Sequence, residues 1–311
     1  MAHSRFFDSV LQELSAGNMQ DGINMLAGML DTADQRTEPF GAVCAALRVH
    51  ALGAMLREDP LFVGSPANPG NDAAMLQLIA FGDITADVSQ TGRRLFTATS
   101  EIKLSRALRE RHLGAGRRVA RSWQHGRRIC VLGGANLAAA RLLAGRDLNN
   151  ITVIDDDHCT ITRLRDLFGG SFQLVEASPM QFLRDEAGPG RFDVICSVEL
   201  ADSLTPPALA ALMPAMRRRL APGGSIELAA LAALHPGSGW RRAYLDWEPC
   251  CHEAGSLAAM AEAADLESRV YHDETACVLW CEMNAIAAEQ ANPDHQDRAK
   301  FYQNRDSGGM S

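Results

Sequence analysis

The sequence predicts an α/β fold: a Rossmann-like, mostly parallel sheet with a C-terminal antiparallel hairpin, preceded by a helical N-terminal domain. Three observations predict it. From residue 129 onward, short apolar runs alternate with segments whose apolar residues recur at helical spacing. The first of these units carries Gly133-Gly134 at its turn and Asp155 at the end of its second strand. Residues before 125 show helical spacing and few strand signals. The expected division is a helical or cap domain over 1–125, a nucleotide-binding domain over 126–285 and a polar, flexible tail over 286–311.

Each element follows from its local pattern. Phe6, Phe7, Val10, Leu11 and Leu14 recur at helical spacing, as do Ile23, Leu26 and Leu30, and residues 42–56 supply a third apolar-rich helix. Residues 59–71, rich in Pro and Gly, read as loop, and a helix resumes over 73–81. Residues 101–123 form a further helix carrying Arg106, Arg109, Arg111, Arg117, Arg118 and Arg121. Such a helix reads as a solvated face or as an anion-binding one, since guanidinium pairs bidentately with carboxylates.

The strand 129–132 then enters the glycine turn, a helix is expected over 137–143, and the strand 151–154 ends in Asp155, Asp156 and Asp157. Glycine lets backbone approach a ligand with no Cβ in the way. An acid about twenty residues beyond the turn sits where such folds hydrogen-bond ribose hydroxyls. Beyond it the pattern gives a helix over 159–168, a strand over 172–175, a short helix over 179–185 and an apolar strand over 192–197. A helix over 207–220 stops at Ala-Pro-Gly-Gly, read as a turn, before a strand over 225–230. A helix over 255–264 precedes two strand-like runs, 266–271 and 275–283, read as an antiparallel hairpin at the sheet edge. Ligands of such sheets bind beyond the carboxyl ends of the strands. That gathers residues 133–136, 155–157, 176–179 and 197–203 around one crevice.

Composition narrows the function. An apolar fraction of 47% and a charged fraction of 22% over 311 residues are those of a globular protein. A net charge of −8 argues against a nucleic-acid partner. Eight scattered cysteines lack paired zinc spacing, so no metal is expected. The N-terminus lacks a signal-peptide core and no apolar run is long enough to span a membrane, so a cytoplasmic protein with no membrane partner is expected.

With the glycine turn, Asp155, Phe192-Asp193-Val194-Ile195, and Leu220-Ala221-Pro222-Gly223-Gly224 ahead of a strand, the chain resembles a class I S-adenosylmethionine-dependent methyltransferase over about residues 128–284. A narrower likeness is to bacterial small-molecule methyltransferases of the 3-hydroxypalmitic acid methyl ester biosynthesis type. Asn68-Pro69-Gly70-Asn71-Asp72, Ala107-Leu108-Arg109-Glu110-Arg111, the run from Ser197 to Leu204, and Asp246-Trp247 carry it. The chain departs from that pattern in the glycine loop, at Pro69 where the family has tyrosine, and at Cys251-His252 where it has Tyr-Arg. The family's substrate is therefore not carried over.

The resemblance implies S-adenosyl-L-methionine as cofactor, with Gly133, Gly134, Ala135, Asn136, Asp155, Asp156, Ser178, Pro179, Ser197 and Arg109 as its candidate binding residues. Glu199, Asp202 and His252 are the candidates for a base or substrate ligand; the first two could equally cap the following helix, and Trp247 could equally be a packed aromatic. The expected activity is methyl transfer to a small metabolite, in secondary metabolism. Two alternatives stay open: attack on the aminobutyrate arm with release of methylthioadenosine, as in nicotianamine- or azetidine-forming enzymes, and a degenerate binding subunit. A homodimer is also left open.

Overall fold

The computed structural model describes residues 2–35, 40–69, 72–84, 87–134, 143–184 and 190–285. Among these residues seven helices come first: α1 (Ala2–Ala16), α2 (Met19–Asp34), α3 (Phe40–Val49), α4 (Ala51–Leu56), α5 (Asp72–Phe81), α6 (Gln90–Ser100) and α7 (Lys103–Gln124). The single helix expected over 42–56 is two. His50 adopts an extended conformation (φ −73°, ψ 157°) and its Nδ1 accepts from the Leu52 N–H at 3.1 Å, so it ends α3 and caps α4. Sequence reading passed over α6, which Ser89 starts by accepting the Gly92 N–H at 2.9 Å.

The second half alternates as expected. It comprises β1 (Ile129–Leu132), β2 (Ile151–Asp155), α8 (His158–Phe168), β3 (Gln173–Glu176), α9 (Pro179–Arg184), β4 (Phe192–Ser197) and a 3₁₀ turn (Leu200–Ser203). These are followed by α10 (Pro206–Arg218), β5 (Leu220–Ala232), α11 (Ser238–Trp240) running into a π turn (Arg241–Leu245), β6 (Cys251–His252), α12 (Ala254–Ala263), β7 (Leu266–His272) and β8 (Val278–Ala285). The helix expected over 137–143, apart from its last residue Leu143, and the tail from 286 fall outside the described residues.

The main sheet runs β3-β2-β1-β4-β5-β8-β7, with β6 alongside the end of β5. Strands β1 to β5 pair in parallel, and β8 lies antiparallel between β5 and β7. The terminal hairpin therefore puts β7 at the edge and β8 inside. Residues 220–224, expected as a turn, are the bulged start of β5: Phe192 pairs with Leu220 but Val194 with Ser225, and Gly223 takes φ +72° to absorb the extra residues.

Strand side chains alternate between faces. Ile129, Val131, Val153 and Leu231 pack with the N-terminal helices, α7 and α8 in one core. Cys130, Leu132, Ile154, Ile195 and Leu228 pack with α9, α10 and α12 in the other. Both faces are covered, which is why these strands read as continuous apolar runs. Strand order reverses between β1 and β4, and that switch point opens a crevice at the strands' carboxyl ends.

Candidate functional site

A cavity of about 460 Å³ occupies the crevice. Its inner wall is made by the ends of β1, β2 and β4, through Leu132, Gly133, Asp155 and Glu199. The loop after β3 adds Ser178 and Pro179, the 3₁₀ turn adds Leu200 and Asp202, and residues 247–250 close one side. Helix α5 contributes Leu76, and its Gln77 donates to Thr160 of α8 at 2.7 Å. Arg163 of α8 pairs with Asp83 and lies over the Phe81 ring. The N-terminal helices thus supply part of the crevice wall.

Asp155 organises the glycine turn. One carboxylate oxygen accepts the Gly134 N–H, and the other accepts the Asp157 N–H at 2.7 Å. Each oxygen keeps a lone pair for another donor. Desolvation pushes the Asp155 carboxyl up, the two backbone bonds oppose that, and neighbouring Asp157 and Asp156 add to it. Gly133 stands at φ +88°. A Cβ on Gly134 would fall 2.6 Å from Leu164 Cδ1 and 2.8 Å from Thr160 Cγ2, so α8 packs where a side chain would be. Asp157 caps α8 by accepting the Thr160 N–H at 2.7 Å.

A buried polar group from α7 backs the other end. The inner stripe of that helix runs through Leu104, Ala107, Leu108, Arg111, His112, Ala115 and Val119. The Arg111 guanidinium donates to Asp202 at 2.5 Å. Asp202 also accepts the Leu231 N–H at 2.9 Å. His112 Nε2 sits 3.3 Å from Glu199 Oε1, with the His112 side chain fully buried and that of Glu199 20% exposed. Burial, reinforced by Arg111, holds the imidazole down to about 3, so it is neutral. The Glu199 carboxyl is pushed up to about 7, first by desolvation; Arg111 opposes the rise, while Asp155, Asp202 and Asp157 add to it. Glu199 Oε1 is enclosed and has no hydrogen-bond partner among the described residues.

Gly133, Asp155, Asp156, Ser178, Pro179, Glu199 and Asp202 all line the crevice, whereas Ala135 and Asn136 lie outside the described residues. Four other expected residues lie off this lining. Gly134 is tucked behind the turn, its N–H on Asp155 and α8 packed where its side chain would be. Ser197 is fully enclosed within β4. His252 is buried on β6 with Nε2 2.9 Å from the Ala201 carbonyl, so it braces the 3₁₀ turn from behind. Arg109 points away because two residues along a helix turn the side chain about 200°. It donates to the Ser100 carbonyl and the Glu101 carboxylate, both at 3.2 Å, and lines a separate groove of about 1030 Å³ between α7 and the β7–β8 hairpin. Arg111 is the arginine that reaches the crevice wall. Trp247 is 4% exposed yet contributes to the lining, so packing and site wall are one role.

Among the described residues no cluster of His, Cys, Asp and Glu could hold a metal ion, and no helix is long and apolar enough to cross a membrane.

No family model matches the sequence, and no curated protein matches it. Solved structures do resemble the fold. The chain is similar to a possible exported protein from Bordetella parapertussis at 14% identity, over 92% of this chain and 98% of that one, with a TM-score of 0.52. It is also similar to the CcbJ methyltransferase from Streptomyces caelestis, at 16% identity over 57% of this chain and 90% of that one (TM-score 0.43). A third likeness is magnesium protoporphyrin IX methyltransferase from Synechocystis PCC 6803 with bound SAH, at 10% identity over 59% and 87% of the two chains (TM-score 0.45). At these identities the likeness concerns the fold.

Proposed function

We propose that the chain is an S-adenosylmethionine-dependent methyltransferase acting on a small metabolite, with the helices of residues 1–125 serving as its cap. The observation that carries this reading is the crevice itself. It is a cavity of about 460 Å³ at the sheet's switch point, with a strand-terminal carboxylate at its inner wall and a glycine turn held against that carboxylate. The residues present fit an adenosyl group: Asp155 keeps lone pairs for ribose hydroxyls, Gly133 lines the crevice with no side chain to fill it, and Ser178 and Pro179 form the wall next to β3. When bound, the cofactor supplies a methyl group already activated on a sulfonium.

The chain's own part is then to hold an acceptor in line, exclude water and take a proton where the acceptor carries one. Glu199, just past the end of β4 in the crevice lining, is placed for the proton. Asp202, fixed by Arg111 and the Leu231 N–H, holds the 3₁₀ turn that carries the site. Of the narrower likeness to 3-hydroxypalmitic acid methyl ester-type enzymes, the run from Ser197 to Leu204 reaches this site through Glu199, Leu200, Asp202, Ser203 and Leu204, so the same strand end would serve a different acceptor. The test is incubation with the cofactor and a metabolite extract, read by mass spectrometry. S-adenosylhomocysteine as by-product supports methyl transfer; methylthioadenosine would replace it with attack on the aminobutyrate arm; cofactor that does not bind at all ends the reading.

A further inference from the structure

We propose that the acceptor in this crevice is a cationic amine and that Glu199 is its ligand and proton acceptor; this rests on the methyl-transfer reading. The lining carries six carboxylates, Asp155, Asp156, Asp157, Glu199, Asp202 and Glu248, and among the described residues no Lys, Arg or His. Two of the six are matched from behind: Asp202 by Arg111, and Glu248 by Arg241 and Arg242. The other four have no cationic partner among the described residues, since His112 beside Glu199 is neutral. The cofactor brings one net positive charge (ammonium and sulfonium against one carboxylate), which leaves the site negative with the cofactor in place. An anionic acceptor would enter against that field, and a neutral alcohol would gain little from it. An ammonium is attracted by it.

The local bonding selects Glu199 from the four. Asp155 and Asp157 already accept backbone N–H groups. Asp156 is exposed to solvent. The Glu199 side chain makes no hydrogen bond among the described residues: Oε1 is enclosed 3.3 Å from the neutral His112 imidazole, and the part of the side chain that lines the crevice has no donor, which is costly for a carboxylate unless a donor arrives. An ammonium is such a donor, and Leu200, Leu204 and Pro249 offer apolar wall beside it for the amine's carbon skeleton. The acceptor ammonium passes one proton to the Glu199 carboxylate. Its freed nitrogen lone pair forms the new N–C bond at the methyl carbon, while the C–S bond breaks and its electron pair stays on sulfur, now a neutral thioether. The product leaves as an N-methylammonium, and Glu199 returns its proton to water. A carboxyl poised near neutrality suits both halves of that exchange.

The experiment uses the full chain saturated with S-adenosylhomocysteine and follows binding by calorimetry. The probes are matched alkyl and aryl skeletons, each presented as amine, alcohol and carboxylate. The amine form is expected to bind about tenfold or more tighter than its alcohol in at least one skeleton, with the carboxylate weakest. Glu199→Gln is expected to erase that preference; Glu199→Asp, with circular dichroism on both variants, controls for folding. If the alcohol or carboxylate equals the amine in every skeleton, if no amine binds, or if Glu199→Gln keeps the preference, the inference is overturned while methyl transfer stands. If S-adenosylhomocysteine itself does not bind, both readings fall together.

Discussion

Arg111 of α7 donates to Asp202 of the 3₁₀ turn after β4 at 2.5 Å, with side-chain exposures of 0% and 6%. The same aspartate accepts the Leu231 N–H through Oδ1, and its backbone carbonyl accepts the Cys250 N–H at 2.7 Å. One residue therefore ties the N-terminal helices, the centre of the sheet and the outer crevice wall together. Two further Arg111 nitrogens have no hydrogen-bond partner among the described residues, so the pair is the main compensation for burying that cation.

Breaking one side of this pair leaves the other charge buried alone. Arg111→Leu is expected to lower unfolding stability by about 3–5 kcal/mol, and the double variant with Asp202→Asn to recover part of that loss. Urea denaturation of the two single variants and the double measures the coupling. A loss below about 1 kcal/mol for Arg111→Leu would mean that water, not Asp202, compensates the guanidinium.

Asp155→Ala removes the acceptor for the Gly134 and Asp157 N–H groups together. A stability loss of about 1–3 kcal/mol is expected from the orphaned donors. Affinity for S-adenosylhomocysteine, measured by calorimetry, should fall at least about tenfold, because both the ribose ligand and the shape of the glycine turn go. Unchanged affinity in a folded variant would remove Asp155 from the cofactor site.

The fold was legible because both faces of the sheet are covered, so β1, β2 and β4 stand out as strongly apolar runs. The glycine turn and Asp155 were legible because their chemistry is local: a turn and a strand-end acid a fixed distance apart. Arg111 and His112 were not. A run of arginines on a helix reads as solvated, and only the apolar stripe through Leu104, Leu108, Ala115 and Val119 shows that position 111 turns inward while position 109 does not. The break at His50 was hidden because its Nδ1 cap is a side-chain conformation, not a composition. Residues 220–224 looked like a turn because proline and glycine stop a helix, yet a bulge lets the same residues enter β5. Two-residue β6 is too short to carry any pattern.

Gly134→Ala tests the close packing of the glycine turn. The added methyl would meet Leu164 and Thr160 side chains on α8, both anchored in the core, with Asp155 Oδ2 at 3.2 Å. Overpacking of this kind costs about 1–3 kcal/mol, and the turn must move from the carboxylate to relieve it. Thermal denaturation should report the loss, and cofactor binding should weaken with it. A variant as stable as the parent would show that α8 yields freely.

Asp59 gives a pH signature from within the N-terminal helices. It is fully buried and accepts from the Leu61 N–H at 3.0 Å, Thr99 Oγ1 at 2.8 Å and the Tyr244 hydroxyl at 2.7 Å, linking those helices to the π turn ahead of the crevice wall. Burial pushes its carboxyl from 3.8 up to about 6, against the three hydrogen bonds that favour the charged form. The folded state thus binds this proton more tightly than the unfolded chain does. Its contribution to stability is complete below pH 3.8 and is lost as pH rises through 6. A displacement of about two units corresponds to roughly 3 kcal/mol. Asp59→Asn is permanently neutral; its amide can still accept from Leu61 and donate to the Thr99 and Tyr244 oxygens. The stability difference, variant minus parent, should therefore move in the variant's favour by about 3 kcal/mol between pH 4 and pH 7, and subtracting the parent cancels the titration of Glu199 and other groups. Urea denaturation of both proteins across that window measures it. Parallel curves would show that Asp59 titrates alike in the folded and unfolded chains, and that its three hydrogen bonds offset the burial in full.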